Sequence, residues 1–415
     1  MALDTGDSVE LEVTKVVHGG DGLARHDGFV VFVHGGLPGE RVRARVYSVK
    51  KSHAFAELIE VLVPSAHRVS HIWPEADVSR PPQHRAGGAD YGHIELGYQR
   101  ELKTAILQEA LTRHGGVSEE FASSVQVEPV AGETDGLRWR TRVTLHVDDR
   151  GLAGPYAERS HTVIDVDSLP LASSALDALA VHRGDWSGHS QIRLVQNSAG
   201  DARVVIDTQK PQPITEQVGD EVFHLSDHSF WQVHHGAAQT LDALVSSALA
   251  GSGVSAPGVG DFRPVDPAAV HLDLYSGVGL FARALGRAYG PDAPIIAVES
   301  DSAATDFTTK NLRDFSRAEV VDSDVKRFLQ TFTPEGPVGT VVLDPPRTGA
   351  KADVVGQIIA LGPQQVIYVA CDPVALGRDI ALFRDAGYEL ERVQGVDLFP
   401  HTHHMEAVAS LRPTG

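Results

Sequence analysis

From about residue 270 onward the chain repeats a pattern that few folds accept. Short, mostly apolar runs (His271–Tyr275, Ile295–Val298, Val341–Leu343 and Val366–Val369) alternate with stretches of helical periodicity. A strand that is apolar on both faces needs cover on both, and helices between the strands supply it. The pattern therefore predicts α/β architecture: a doubly wound, mostly parallel sheet of Rossmann-like type. In such sheets ligands sit beyond the carboxyl ends of the strands. Here those ends carry polar or reactive residues, so one rim should hold the chemistry.

The first strand runs into Asp273-Leu274-Tyr275-Ser276-Gly277-Val278-Gly279-Leu280-Phe281. Its glycines let a ligand approach the backbone, and the helix that follows presents an N-terminus suited to polar or anionic groups. The second strand ends in Glu299, 20 residues after Gly279, where an acid can hold both hydroxyls of a ribose. The loop lacks the third glycine of G-x-G-x-x-G, so an ordinary βα turn beside a surface acid is the plain alternative. The next two strands run into Asp344-Pro345-Pro346-Arg347 and Cys371-Asp372-Pro373. An adenosyl-type cofactor beside a planar, base-like substrate fits such a rim.

A chain of 415 residues suggests about three domains. Residues 1–64 read as small β structure with basic residues at Arg41, Arg43, Arg45, Lys50 and Lys51. Residues 65–230 read as a β-rich central domain, with a helix near 98–114 that could pack on the catalytic domain. Residues 231–415 hold the α/β domain, after a Gly/Pro-rich loop around 251–269. The single cysteine excludes an internal disulfide and an all-cysteine metal site, and points to an intracellular protein. No basic, apolar leader and no run of roughly 20 apolar residues is visible, so a cytoplasmic location is expected. A net charge of −19 argues against broad nucleic-acid affinity but leaves room for a local basic groove.

Taken alone, Cys371 could be a small, inert core residue. Its place directly after an apolar strand also suits an exposed nucleophile. Glu406 precedes Ala407-Val408-Ala409, at the edge of a final strand on the same sheet; a solvated acid is the plain reading. His401, His403 and His404 crowd the same loop, but no second ligand cluster accompanies them and no metal is expected.

These segments, in this order, resemble the S-adenosylmethionine-dependent RNA uracil-C5 methyltransferase family. The resemblance spans almost the whole chain. The N-terminal segment, including Phe32–Val42, is similar to the small RNA-binding TRAM barrel found at the front of such enzymes, and Ser229-Phe230-Trp231-Gln232-Val233 to the family's cofactor-contacting segment. The resemblance implies that Gln232, Tyr275, Gly277, Glu299 and Asp344 hold S-adenosylmethionine, that Cys371 attacks C6 of a uridine, and that Glu406 removes the C5 proton. It implies RNA, ribosomal or transfer, as the partner, with no obligatory protein partner and no membrane. Arg41, Arg43, Arg45, Arg138, Arg140 and Arg142 are the candidate RNA contacts.

Two departures stand out. Many members bind a [4Fe–4S] cluster through four cysteines; Arg80, Ala86, Ala89 and Leu169 fall at those positions, so no cluster is expected. Asp372 replaces the usual asparagine after the nucleophile, and its charge should raise the pKa of the thiol and the pH optimum. Two rival readings remain: an amino-group methyltransferase centred on Asp-Pro-Pro-Arg, and a non-catalytic RNA binder that has lost activity with its cluster.

Overall fold

The structure, a computed structural model, describes residues 3–251 and 264–414. Most of the predicted 251–269 loop therefore lies outside the described residues.

The N-terminal strands close into a barrel in the order Ser8–Val16, Gly22–His26, Phe29–His34, His53–Val63, Arg41–Val49. Alternation decides which side chains fill it: Val42, Ala44 and Val46 are buried, while the arginines between them face outward. The centre of the molecule holds a four-stranded antiparallel sheet (Ala202–Ile206, Gln191–Gln196, Arg142–Val147, Ala153–Gly154) and the hairpin Pro213–Val218/Glu221–Ser226.

The large sheet has eight strands, in the order Ala318–Asp322, Ile295–Glu299, Val270–Leu274, Val338–Leu343, Gln365–Ala370, Glu406–Pro413, Tyr388–Asp397 and Val127–Pro129. The first five are parallel and Glu406–Pro413 runs antiparallel to its neighbours. Apolar cores cover both faces, which is the doubly wound α/β arrangement expected of the pattern. Val338–Leu343 and Gln365–Ala370 are buried along their whole length. Val127–Pro129 joins the sheet from the first half of the chain, and the helix Leu96–Arg113 lies against the helix Pro373–Asp385. Gly377 permits that approach, since a Cβ there would meet the Ala110 carbonyl at 2.6 Å. Among the described residues no helix is long and apolar enough to cross a membrane.

A partly buried ionic cluster docks the barrel on the central domain. His34 contacts Asp21 at 2.9 Å and Glu158 at 2.6 Å, and Arg159 reaches Asp21 at 2.9 Å. Burial opposes charge on His34, but the two carboxylates outweigh it and hold its pKa up to about 10. A histidine raised in the folded state stabilises fully below its ordinary value of 6.5, and that contribution fades as pH climbs toward 10. The melting temperature of the wild type should therefore fall more steeply across this window than that of His34→Gln; parallel curves would refute the assignment.

Candidate active site

Strand register builds the site. Leu274 pairs with Val298 on one side and Leu343 on the other, so one residue further Tyr275, Glu299 and Asp344 stand in a row at the carboxyl rim. Ala370 pairs antiparallel with Ala407. The next rung sets Cys371 opposite Glu406, and directly opposed residues have Cβ atoms about 4.5–5.5 Å apart. Two residues 35 positions apart are thus brought together by the final antiparallel strand.

The cofactor loop is held without using up its polar groups. Tyr275 (φ 64), Gly277 (φ 55) and Gly279 (φ 90) take left-handed conformations, and nothing lies within 4 Å of a Cβ built on Gly277. Glu299 Oε1 accepts from Ser300 N at 2.7 Å, Asp301 N at 2.8 Å and Ser300 Oγ at 3.3 Å, and Oε2 from Gly277 N at 2.9 Å. Each carboxylate oxygen has about two acceptor sites, so one remains on Oε2. Holding both ribose hydroxyls would displace one of the existing bonds. Below the loop, Asp273 is fully buried; Oδ2 accepts from Ala282 N at 2.7 Å while Oδ1 has no partner. Burial, with the charges of Asp344 and Glu299, pushes its carboxyl well above the usual range. Open backbone at Gly277, a free acceptor on Glu299 and an orphaned buried oxygen fit a polar ligand such as an adenosyl group. Glu299→Ala should weaken S-adenosylmethionine binding about 10–100-fold, the worth of hydrogen bonds to a charged group; calorimetry that finds no loss would remove Glu299 from the site.

Gln232 lies between fixed points: Val233 O accepts from Thr141 N at 2.7 Å, and Trp231 packs on Phe223. Among the described residues the side chains of Gln232, Asp344, Cys371 and Glu406 have no hydrogen-bond partner. Burial raises Asp344 to about 7 and sends Glu406 well above its ordinary value, with the Asp344 charge adding and Arg347 opposing. Burial, then the charges of Glu406 and Asp344, pushes Cys371 up to about 12. Asp372 acts on the thiol in the expected direction but behind those causes. It has other work: it caps the helix Pro373–Asp385 through Ala375 N at 2.8 Å and pairs with His18 of the barrel at 3.1 Å.

Phe230, two residues before Gln232, was not singled out from sequence as a separate site residue. It stands 70% exposed, the most exposed large apolar side chain among those described, and only a tertiary structure distinguishes it from buried Trp231.

The three loop histidines are spoken for. His401 is hydrogen-bonded to Gln99 at 3.0 Å and Asp135 O at 2.9 Å, His403 to Asp90 at 2.6 Å, and His404 to Arg347 at 3.3 Å. Glu133, His234 and His235 bring ligand-type atoms within 4.8 Å of one another. However, His234 Nδ1 accepts from Gly236 N, so in the neutral ring Nε2 carries the proton, 3.4 Å from Glu133. The contact is an ion pair by distance, and the buried Nε2 has no hydrogen-bond partner.

The candidate RNA arginines separate. Arg43 lies between Glu10 and Glu60, Arg138 pairs with Asp177, and Arg142 with buried Glu216. Arg41 and Arg45 are exposed on the barrel, with Arg41 opposite Glu12 in register. Arg140 has no carboxylate partner among the described residues; it donates to Arg142 O, lies over Trp139 and feels the Arg347 charge. Ala86, Ala89 and Leu169 pack in one apolar core with Trp73. That place offers no thiolate, so these residues do not fit an iron–sulfur cluster.

A methyltransferase sheet with an N-terminal barrel and a carboxyl-rim site defines a class, and comparison with known proteins narrows it. The TRAM domain model matches residues 3–59, and the tRNA (Uracil-5-)-methyltransferase model matches residues 300–413. An uncharacterized RNA methyltransferase of Streptomyces avermitilis is 34% identical over 98% of this chain and 99% of its own. One of Bifidobacterium longum is 33% identical over 96% and 95%. The solved tRNA (uracil-54, C5)-methyltransferase of Pyrococcus abyssi, in complex with S-adenosyl-L-homocysteine, shares the fold with a TM-score of 0.69, at 20% identity over 97% of this chain and 99% of that one. The chain belongs to the S-adenosylmethionine-dependent RNA (uracil-5-)-methyltransferase family.

Proposed function

We propose that this enzyme methylates C5 of a uridine in transfer or ribosomal RNA through a covalent bond to Cys371. The cross-strand opposition of Cys371 and Glu406, both without hydrogen-bond partners, carries the reading. Bound S-adenosylmethionine supplies a methyl group on a positively charged sulfonium. Gln232, Tyr275, Gly277, Glu299 and Asp344 are the residues to hold it. The Cys371 thiol loses its proton to solvent and the thiolate sulfur bonds to C6, which places an electron pair at C5. That carbon takes the methyl group, whose bond to sulfur breaks to leave a neutral thioether; the Glu406 carboxylate accepts the C5 proton, and the C6–sulfur bond breaks to restore the pyrimidine and the Cys371 thiolate. The target base must leave its stack to reach the pair.

The missing thiols at Arg80, Ala86, Ala89 and Leu169 support an enzyme that works without an iron–sulfur cluster; iron analysis of the purified protein checks this. The reaction is tested with 5-fluorouridine-substituted transfer and ribosomal RNA. Fluorine cannot leave as a proton, so a protein–RNA adduct should survive a denaturing gel with the RNA class that is the substrate. Methyl on a base nitrogen, and no adduct, would favour the amino-group reading; neither methylation nor an adduct would favour the non-catalytic one.

A further inference from the structure

Beside Cys371 an open groove of about 690 Å³ runs between the Arg347 loop and the helix Pro373–Asp385, with His18 of the barrel on its wall. Arg347, Lys351 and Arg378 line it, all three exposed. None has a carboxylate within 4.0 Å among the described residues. The acids in the groove are already committed. Asp372 caps its helix and pairs with His18. Asp379, buried, accepts from Tyr368 Oη at 2.6 Å, Ala350 N at 2.7 Å and Lys351 N at 3.3 Å.

Several arginines elsewhere in this acidic chain, among them Arg43, Arg138, Arg142, Arg283 and Arg287, have carboxylate partners. The three cations of this groove do not, and Asp372, the residue after Cys371, shares its lining. Lys351 is also held at φ 68, a left-handed conformation that persists only where the surroundings enforce it.

The geometry points to this groove as the track for the phosphodiester backbone flanking the target uridine, with Lys351 and Arg378 as phosphate contacts. The inference rests on the RNA reading above and adds where the strand runs. A polyanion suits the groove because its cations are spaced along an open channel that Asp372, the residue after Cys371, helps to line, not gathered around a closed pocket. An acidic protein segment is the competing occupant.

The test is a salt titration of RNA binding by the full chain, using a labelled single-stranded oligonucleotide and transfer RNA, for the wild type and a Lys351→Ala/Arg378→Ala variant. Losing two phosphate contacts should lower the slope of log affinity against log salt by about 1.4 and weaken binding roughly tenfold at 0.15 M salt. Melting temperature and S-adenosylmethionine affinity should hold, and Lys351→Arg/Arg378→Lys should keep the slope. A wild type that binds and methylates RNA beside a double variant of unchanged slope would overturn the groove and leave the enzyme reading intact. A wild type that neither binds nor methylates RNA would overturn both.

Discussion

Cys371→Ala should lower RNA methylation by at least about 10⁴-fold, the scale on which removing a covalent nucleophile acts. S-adenosylmethionine affinity should be unchanged, because the residues proposed to hold it lie on other strand ends and on the loop at Gln232. The pH profile gives a second readout. Burial and the neighbouring carboxylates hold the thiol at about 12 in the free protein, so the reactive thiolate is scarce at neutral pH and grows tenfold per pH unit below that value. A sulfonium bound at the rim would add a positive charge and pull the thiol down. Alkylation of Cys371 by iodoacetamide should then be faster with S-adenosylmethionine than with uncharged-sulfur S-adenosylhomocysteine. Methylation should rise between pH 6 and 9. An activity already level at pH 6, or equal alkylation with the two ligands, would contradict this account of the thiol.

Glu406→Gln should separate the two halves of the reaction. Glutamine keeps the shape but cannot accept the C5 proton, so the methylated base should remain bonded to Cys371 even with ordinary uridine. Turnover should fall about 10²–10⁴-fold, the usual worth of a general base, while a protein–RNA adduct accumulates on a denaturing gel. Loss of turnover with no adduct would place Glu406 before the methyl transfer and require another base. Glu406 is raised well above the ordinary carboxylate range by burial, with Asp344 adding; its ionised fraction therefore also grows with pH, in the same direction as the thiolate.

The local pieces of this enzyme were legible because their signals are short-range. Apolar runs flanked by helical periodicity announced the parallel strands, and the residues just after Leu274, Val298, Leu343 and Ala370 were readable as rim residues because a strand's end is a local property. The small β structure of residues 1–64 was legible for the same reason. What lay out of reach were pairings between distant segments. The basic cluster Arg41, Arg43 and Arg45 looked free in sequence, yet Glu10 and Glu60 arrive from neighbouring strands to neutralise Arg43.

By itself the sequence determined the fold class, the one available thiol and the set of polar groups at strand ends, since composition and periodicity act along the chain. Only the tertiary structure decided that Glu406 stands opposite Cys371, because that depends on the final strand inserting antiparallel between Gln365–Ala370 and Tyr388–Asp397. It also decided which cations are spent and which stay open beside the nucleophile. Charge pairing and desolvation are set by what surrounds a side chain in space, and spacing along a chain does not encode that surrounding.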